Sequence, residues 1–101
     1  MNRDFTLNKY RELCKAFRKH RYTVCTVADY LENQHSEENI VVLRHDVDRR
    51  LQHAVRMAEI EHDFGLRSSY YFRYSKSVFE PASIQMIANM GHEIGYHYET
   101  L

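Results

Sequence analysis

The chain has 101 residues, which is the length of one small domain. Lys and Arg together number 14, as do Asp and Glu, so the net charge of zero indicates neither a nucleic-acid partner nor an acidic substrate. No apolar run approaches membrane-spanning length, and the first residues do not form a signal peptide, so we expect a cytoplasmic protein without a membrane partner. Cys14 and Cys25 suit reduced, half-buried thiols better than a disulfide.

The first part of the chain predicts a mostly helical segment. Thr6 is a candidate cap for a helix from about Leu7 to His20, whose apolar residues recur at helical spacing. A short strand is predicted over Arg21 to Cys25. Thr26 with Asp29 three residues later resembles a capping box, which would open a second, shorter helix before a polar loop.

The second part of the chain alternates strands and helices. Continuous aliphatic residues predict that the first of these strands is buried, and Tyr and Phe are frequent in the next. The predicted elements are a strand over Ile40 to Leu43, a helix over Leu51 to Phe64 ended by Gly65, a strand over Arg67 to Tyr74, a helix opened by Pro81 and closed by Gly91, and a strand over His92 to Tyr98. This order indicates an α/β fold with parallel strands and crossover helices.

Ionisable side chains follow the first and last of these strands. Asp46 and Asp48 are two residues apart, so an extended backbone directs both carboxylates to one face, while His45 points away from them. His97 and Glu99 end the last strand, and the carboxyl ends of parallel strands share one edge of the sheet. These groups suit Zn²⁺ with an activated water molecule, although structural ion pairs, or Asp48 acting as a helix cap, explain the pattern about as well.

Two segments together, Leu43-Arg44-His45-Asp46-Val47-Asp48 and Gly91-His92-Glu93-Ile94-Gly95-Tyr96-His97, resemble the first two motifs of the polysaccharide deacetylase superfamily. That superfamily includes chitin and peptidoglycan deacetylases. The resemblance divides the chain into a helical lead-in, residues 1–39, and the amino-terminal portion of a distorted β/α barrel, residues 40–101. It implies hydrolysis of a carbon–nitrogen amide bond, in which a metal-bound water removes the N-acetyl group of an amino sugar.

The resemblance also implies roles for individual residues. Asp46 corresponds to the general base, and Asp48 and His97 correspond to metal ligands. His92 corresponds to a supporting residue beside the site rather than a ligand. His45 is expected to pack under the site as a second supporting residue.

Two departures from the family pattern leave open whether the chain is an enzyme. The second metal histidine would stand at Leu101, and leucine cannot bind zinc. Either Glu99 substitutes for it, metal binding is weak, or the site does not work. The later family motifs have no counterpart, so we expect a truncated barrel with very low activity toward a carbohydrate-like substrate, with Zn²⁺ or another divalent metal. The alternative is a non-catalytic α/β fragment that acts only through association, for example self-association at an open sheet edge.

Overall fold

The computed structural model describes residues 6–32, 39–48, 51–73 and 80–97, which form a mixed α/β structure. The elements in chain order are α1 (Leu7–Lys19), β1 (Thr23–Cys25), α2 (Val27–Glu32), β2 (Ile40–Val42), β3 (Arg44–Val47), α3 (Leu51–Asp63), β4 (Ser69–Arg73), α4 (Pro81–Asn89) and β5 (Glu93–His97). None of the helices in these ranges is long and apolar enough to cross a membrane.

All of the strand pairs are parallel. Strands β1 and β2 form a two-stranded sheet, and a second sheet has the order β3-β4-β5. Helix α3 connects β3 to β4 and helix α4 connects β4 to β5, so the predicted β-α-β-α-β unit is confirmed. The strands that the structure describes form no closed barrel.

The prediction of a buried strand over Ile40 to Leu43 is wrong in two respects. The extended chain is divided at Leu43 into β2, which pairs with β1, and β3, which pairs with β4. Val42 is 37 % exposed, and no residue of β2 is fully buried. An apolar run shows only that a segment can be buried, whereas its actual burial depends on which helix covers the strand.

One face of the β3-β4-β5 sheet is covered by helices α3 and α4. Alternation along the strands directs His45, Val47, Tyr70 and Phe72 to this face, which we call the helix face. The core between the sheet and the helices contains Val47, Leu51, Ala54, Val55, Ala58, Tyr70, Phe72, Ile84 and Ile87. The opposite face carries Arg44, Asp46, Tyr71 and Gly95. Asp46, Tyr71 and Gly95 are aligned across the three strands, and Arg44 lies two residues before Asp46 on β3.

Helix α1 packs against α3 and so joins the lead-in to the rest of the fold. The contact is a second apolar cluster of Tyr10, Cys14, Met57, Ile60 and Leu66. Cys14 and Cys25 carry free thiols as predicted, although both are buried rather than half-buried. Burial raises the pKa of Cys14 to about 11, so this thiol stays protonated and unreactive at neutral pH.

The predicted helix caps are present. The Oγ1 atom of Thr6 accepts a hydrogen bond from the Lys9 backbone N–H at 3.1 Å, and that of Thr26 accepts one from Asp29 at 3.0 Å. Gly65 ends α3 with φ of 70°, which allows the Leu66 N–H to reach the Glu61 carbonyl oxygen at 2.8 Å.

Helix α1 ends in the same way, but with a side chain where glycine is usual. The φ angle of Arg21 is 61°, and the Tyr22 N–H donates to the Phe17 carbonyl oxygen at 2.9 Å. The rings of Phe17 and Tyr22 meet edge to face, with centroids 5.9 Å apart. Arg21 therefore holds a left-handed conformation that disfavours residues with a Cβ atom.

We predict that Arg21→Gly raises the free energy of unfolding by about 0.5 kcal/mol, because relief of the left-handed strain exceeds the added entropy of the unfolded chain. Urea denaturation monitored by circular dichroism measures this change. Gly65→Ala is the matched control and should be destabilising, since φ at that position is also positive. A destabilised Arg21→Gly protein would contradict the prediction.

Candidate functional site

Strand β3 carries polar side chains on both of its faces. Arg44 and Asp46 are exposed, whereas His45 is half-buried and Val47 is buried. Asp46 therefore lies within a strand, not after one as the sequence predicted. His45 and Asp46, although adjacent in sequence, face different surroundings.

On the opposite face, Asp46 is paired with a neighbouring cation. The Nε atom of Arg44 donates to Asp46 Oδ1 at 2.9 Å, and both side chains are about half exposed, at 50 % and 53 %. The Arg44 guanidinium also lies 4.2 Å from the centre of the Tyr71 ring. Tyr71 in turn lies across Gly95, where a Cβ atom would come within 2.6 Å of the ring. Asp46 is thus part of a surface cluster in which Arg44 packs on Tyr71 and Tyr71 packs on Gly95.

Asp48 and His97 follow the same register level of the sheet. Val47, Phe72 and Tyr96 are aligned across β3, β4 and β5. Asp48 directly follows the end of β3, and His97 is the last residue of β5. Strand β4 lies between them, so their backbones are separated by two spacings of about 4.8 Å. Glu99 and Leu101 lie outside the described residues.

No three His, Cys, Asp or Glu side chains come together as a potential metal site in the ranges that the structure describes. The backbones of Asp48 and His97 lie at the same edge of the described sheet. Their donor types, a carboxylate oxygen and an imidazole nitrogen, suit Zn²⁺.

Among the residues that the structure describes, the most extensive polar cluster surrounds Glu61, which the sequence analysis did not identify. This carboxylate is fully buried on the helix face. Its Oε1 atom accepts hydrogen bonds from Ser68 Oγ and Tyr70 OH, both at 2.7 Å. Its Oε2 atom contacts His45 Nε2 at 2.7 Å and accepts a hydrogen bond from Tyr10 OH. One side chain thus connects α1, α3, β3 and β4.

The surrounding donors keep Glu61 ionised. Burial alone would raise the pKa of this carboxyl, but hydrogen bonds from His45, Tyr10 and Ser68 and the nearby His45 imidazole lower it below its usual value. Burial and the Glu61 charge raise the pKa values of Tyr10 and Tyr70. Both phenols therefore remain protonated and continue to donate.

His92 is held by backbone groups on both of its ring nitrogens. The Ser68 backbone N–H donates to Nδ1 at 3.1 Å, so Nε2 carries the proton and donates to the Ala58 carbonyl oxygen at 3.0 Å. Burial lowers the pKa of His92, which favours this neutral form. His92 connects the start of β5 to α3 and β4, and Nε2 lies 3.7 Å from Glu61 Oε1.

The sequence does contain a signal for Glu61. It follows Ala54 by seven residues and Ala58 by three, which puts it on the buried stripe of α3. A carboxylate on an apolar stripe predicts a buried polar partner. The partners cannot be identified this way, because they come from distant parts of the chain.

A cavity of about 270 Å³ adjoins this cluster between β3 and α3. His45 lines it together with Arg44, Asp46, His53, Met57 and Tyr70. His45 is therefore the member of the Glu61 cluster that reaches from the buried carboxylate to a cavity containing both charged and apolar groups.

Comparisons with known proteins add no assignment. The chain matches no protein-family model, no curated protein and no solved structure.

We predict that Glu61→Gln lowers the free energy of unfolding by about 2–4 kcal/mol, because an amide N–H₂ would face donors that now point at a carboxylate. Urea denaturation provides the measurement. The control is Glu59→Gln on the exposed side of the same helix, which should change stability by less than about 0.5 kcal/mol. Equal effects of the two substitutions would contradict a special role for the buried carboxylate.

We predict that the stability of the protein decreases at acidic pH. The pKa of His92 lies below its ordinary 6.5 in the folded protein, so the unfolded chain binds more protons and stability decreases as pH falls below about 6.5. The lowered pKa of Glu61 adds a further loss below its ordinary 4.5. Thermal unfolding measured from about pH 8 to about pH 4, where the two groups titrate, tests both losses of stability.

His92→Gln separates the two contributions to this pH dependence, because a side-chain amide can also accept from Ser68 and donate to Ala58. The decrease in stability near about pH 6, where an ordinary histidine titrates, should be shallower in this variant. His20→Gln, at an exposed position after α1, should keep the wild-type profile. An unchanged slope in His92→Gln would contradict the assignment.

Proposed function

We propose that the chain carries part of a polysaccharide-deacetylase-like site. Such a site would hydrolyse the N-acetyl amide bond of an amino sugar, and the strands would be the first part of a distorted β/α barrel. The observation that carries the proposal is the shared register level that precedes Asp48 and His97 at the carboxyl ends of β3 and β5. Ligands of α/β folds bind at this end of parallel strands.

Asp48 and His97 are the residues that would hold a divalent metal, with Glu99 as a candidate third ligand. Zn²⁺ bound there would supply a water molecule with a lowered pKa. Asp46 would accept the proton of the attacking water, since an exposed carboxylate gives up an ion pair such as that with Arg44 at little cost. The carbohydrate substrate would bind across this edge of the sheet.

A second candidate function is non-catalytic association. It is favoured by the Arg44–Asp46 pair, which is an ordinary surface interaction. In this case the free edge of β5, which pairs only with β4 in the described sheet, would bind another chain.

Zinc binding and acetate release test the first proposal. We expect the purified protein to bind Zn²⁺ in equilibrium dialysis, with affinity roughly tenfold lower or worse in Asp48→Asn and in His97→Ala. Asp46→Asn should retain zinc but lose any slow release of acetate from an N-acetylated chitooligosaccharide. Glu59→Gln is the surface-charge control and should bind zinc like the wild type.

Two other outcomes would contradict the proposed metal site. If the wild-type protein binds no zinc and sediments as an oligomer in analytical ultracentrifugation, the association hypothesis replaces the hydrolase. Zinc that binds equally well to Asp48→Asn and His97→Ala would show that the metal sits elsewhere.

A further inference from the structure

The His45–Glu61 pair has a geometry that the proposed hydrolase site does not use. The two side chains meet at 2.7 Å between Nε2 and Oε2. Glu61 is fully buried, whereas the His45 side chain is 18 % exposed and lines the cavity between β3 and α3. Asp46 also lines this cavity, but the pair includes neither of the candidate metal ligands, Asp48 and His97.

The hydrogen bonds select one form of the imidazole. Glu61 is ionised and accepts from Tyr10, Ser68 and Tyr70, so it can only accept from His45 as well. The proton of the neutral ring therefore resides on Nε2, and Nδ1 keeps its lone pair. A carboxylate that orients an imidazole in this way is the arrangement by which enzymes prepare a histidine for proton transfer or nucleophilic attack.

The ring is also held by its neighbours. Its centroid lies 4.7 Å from that of Tyr70 and 5.9 Å from that of Tyr10, which packs edge to face against it. These contacts restrict rotation of the imidazole. A reactive side chain needs such support from its surroundings to keep a productive geometry.

We propose that His45 and Glu61 form an acyl-transfer dyad that acts on small acyl compounds in the adjoining cavity. His45 is the nucleophile through Nδ1, and Glu61 is the positioning residue. Met57 and Tyr70 provide an apolar wall for the acyl or leaving group. The substrate class is a small ester with an activated leaving group.

The reaction can be followed with p-nitrophenyl acetate. Nδ1 of His45 forms a bond to the carbonyl carbon, and the bond from that carbon to the p-nitrophenolate oxygen breaks. The positive charge on the acylated ring is balanced by the Glu61 carboxylate. Water then adds to the acyl carbon and the C–N bond breaks. Acetate and two protons are released to solvent, and the neutral His45 ring with its proton on Nε2 is restored.

Hydrolysis of this probe is measured in the presence of EDTA, so that the outcome does not depend on the proposed metal site. We expect the rate above background to fall at least roughly tenfold in His45→Gln and in Glu61→Gln. His20→Gln, at an exposed position after α1, should keep the wild-type rate. A folded His45→Gln protein with the wild-type rate, or a wild-type rate no higher than the background, would overturn the proposal.

Two measurements on the wild-type protein keep the proposal testable if these variants do not fold. ¹⁵N NMR of the histidine rings should show a lone pair on His45 Nδ1. Diethyl pyrocarbonate should label His45 as it labels the exposed His20, but should not label His92, whose two nitrogens are both hydrogen-bonded. A proton on His45 Nδ1, or a His45 as unreactive as His92, would overturn the dyad.

For Glu61, the tautomer distinguishes positioning from simple structural support. In Glu61→Gln, the amide N–H₂ can donate to Nε2, which would move the ring proton to Nδ1 and remove the nucleophile. We expect the ¹⁵N signature of His45 to change accordingly in this variant. Loss of activity with an unchanged His45 tautomer would show that Glu61 acts only through stability.

Discussion

The buried carboxylate of Glu61 is the constraint on which the arrangement of this fold depends. A charge without water costs several kcal/mol unless donors surround it, and here each carboxylate oxygen has two partners. These partners come from α1, β3, β4 and the segment just before β4. Helix α1 therefore belongs to the same packed unit as the sheet, and its docking is directed by a hydrogen bond as well as by apolar contact.

The two faces of β3 place its polar side chains in different surroundings. Strand alternation directs His45 toward Glu61 and Asp46 toward Arg44. In the first pair Glu61 is buried and His45 is half-buried, whereas both members of the second pair are about half exposed and form a weak surface ion pair. A motif that is contiguous in sequence thus supplies two different environments, one on each face of the sheet.

Local chemistry predicted much of the secondary structure. Thr6 and Thr26 cap helices because their hydroxyl groups reach backbone donors three residues later, and Gly65 ends α3 because it adopts a positive φ. Arg21 adopts the same conformation without glycine, so its turn could not be recognised from residue type. The division at Leu43 was also missed, since an apolar run does not reveal that its two halves pair with different strands.

The sequence by itself determined the order of helices and strands apart from the division at Leu43, the parallel unit, and the position of Asp48 and His97 at strand ends. These follow from periodicity, capping and connectivity, which act over a few residues. Only the tertiary structure decided that Asp46 pairs with Arg44 and that Glu61 gathers Tyr10, His45, Ser68 and Tyr70. These contacts join residues up to 51 positions apart, and a buried charge selects its partners by proximity in space.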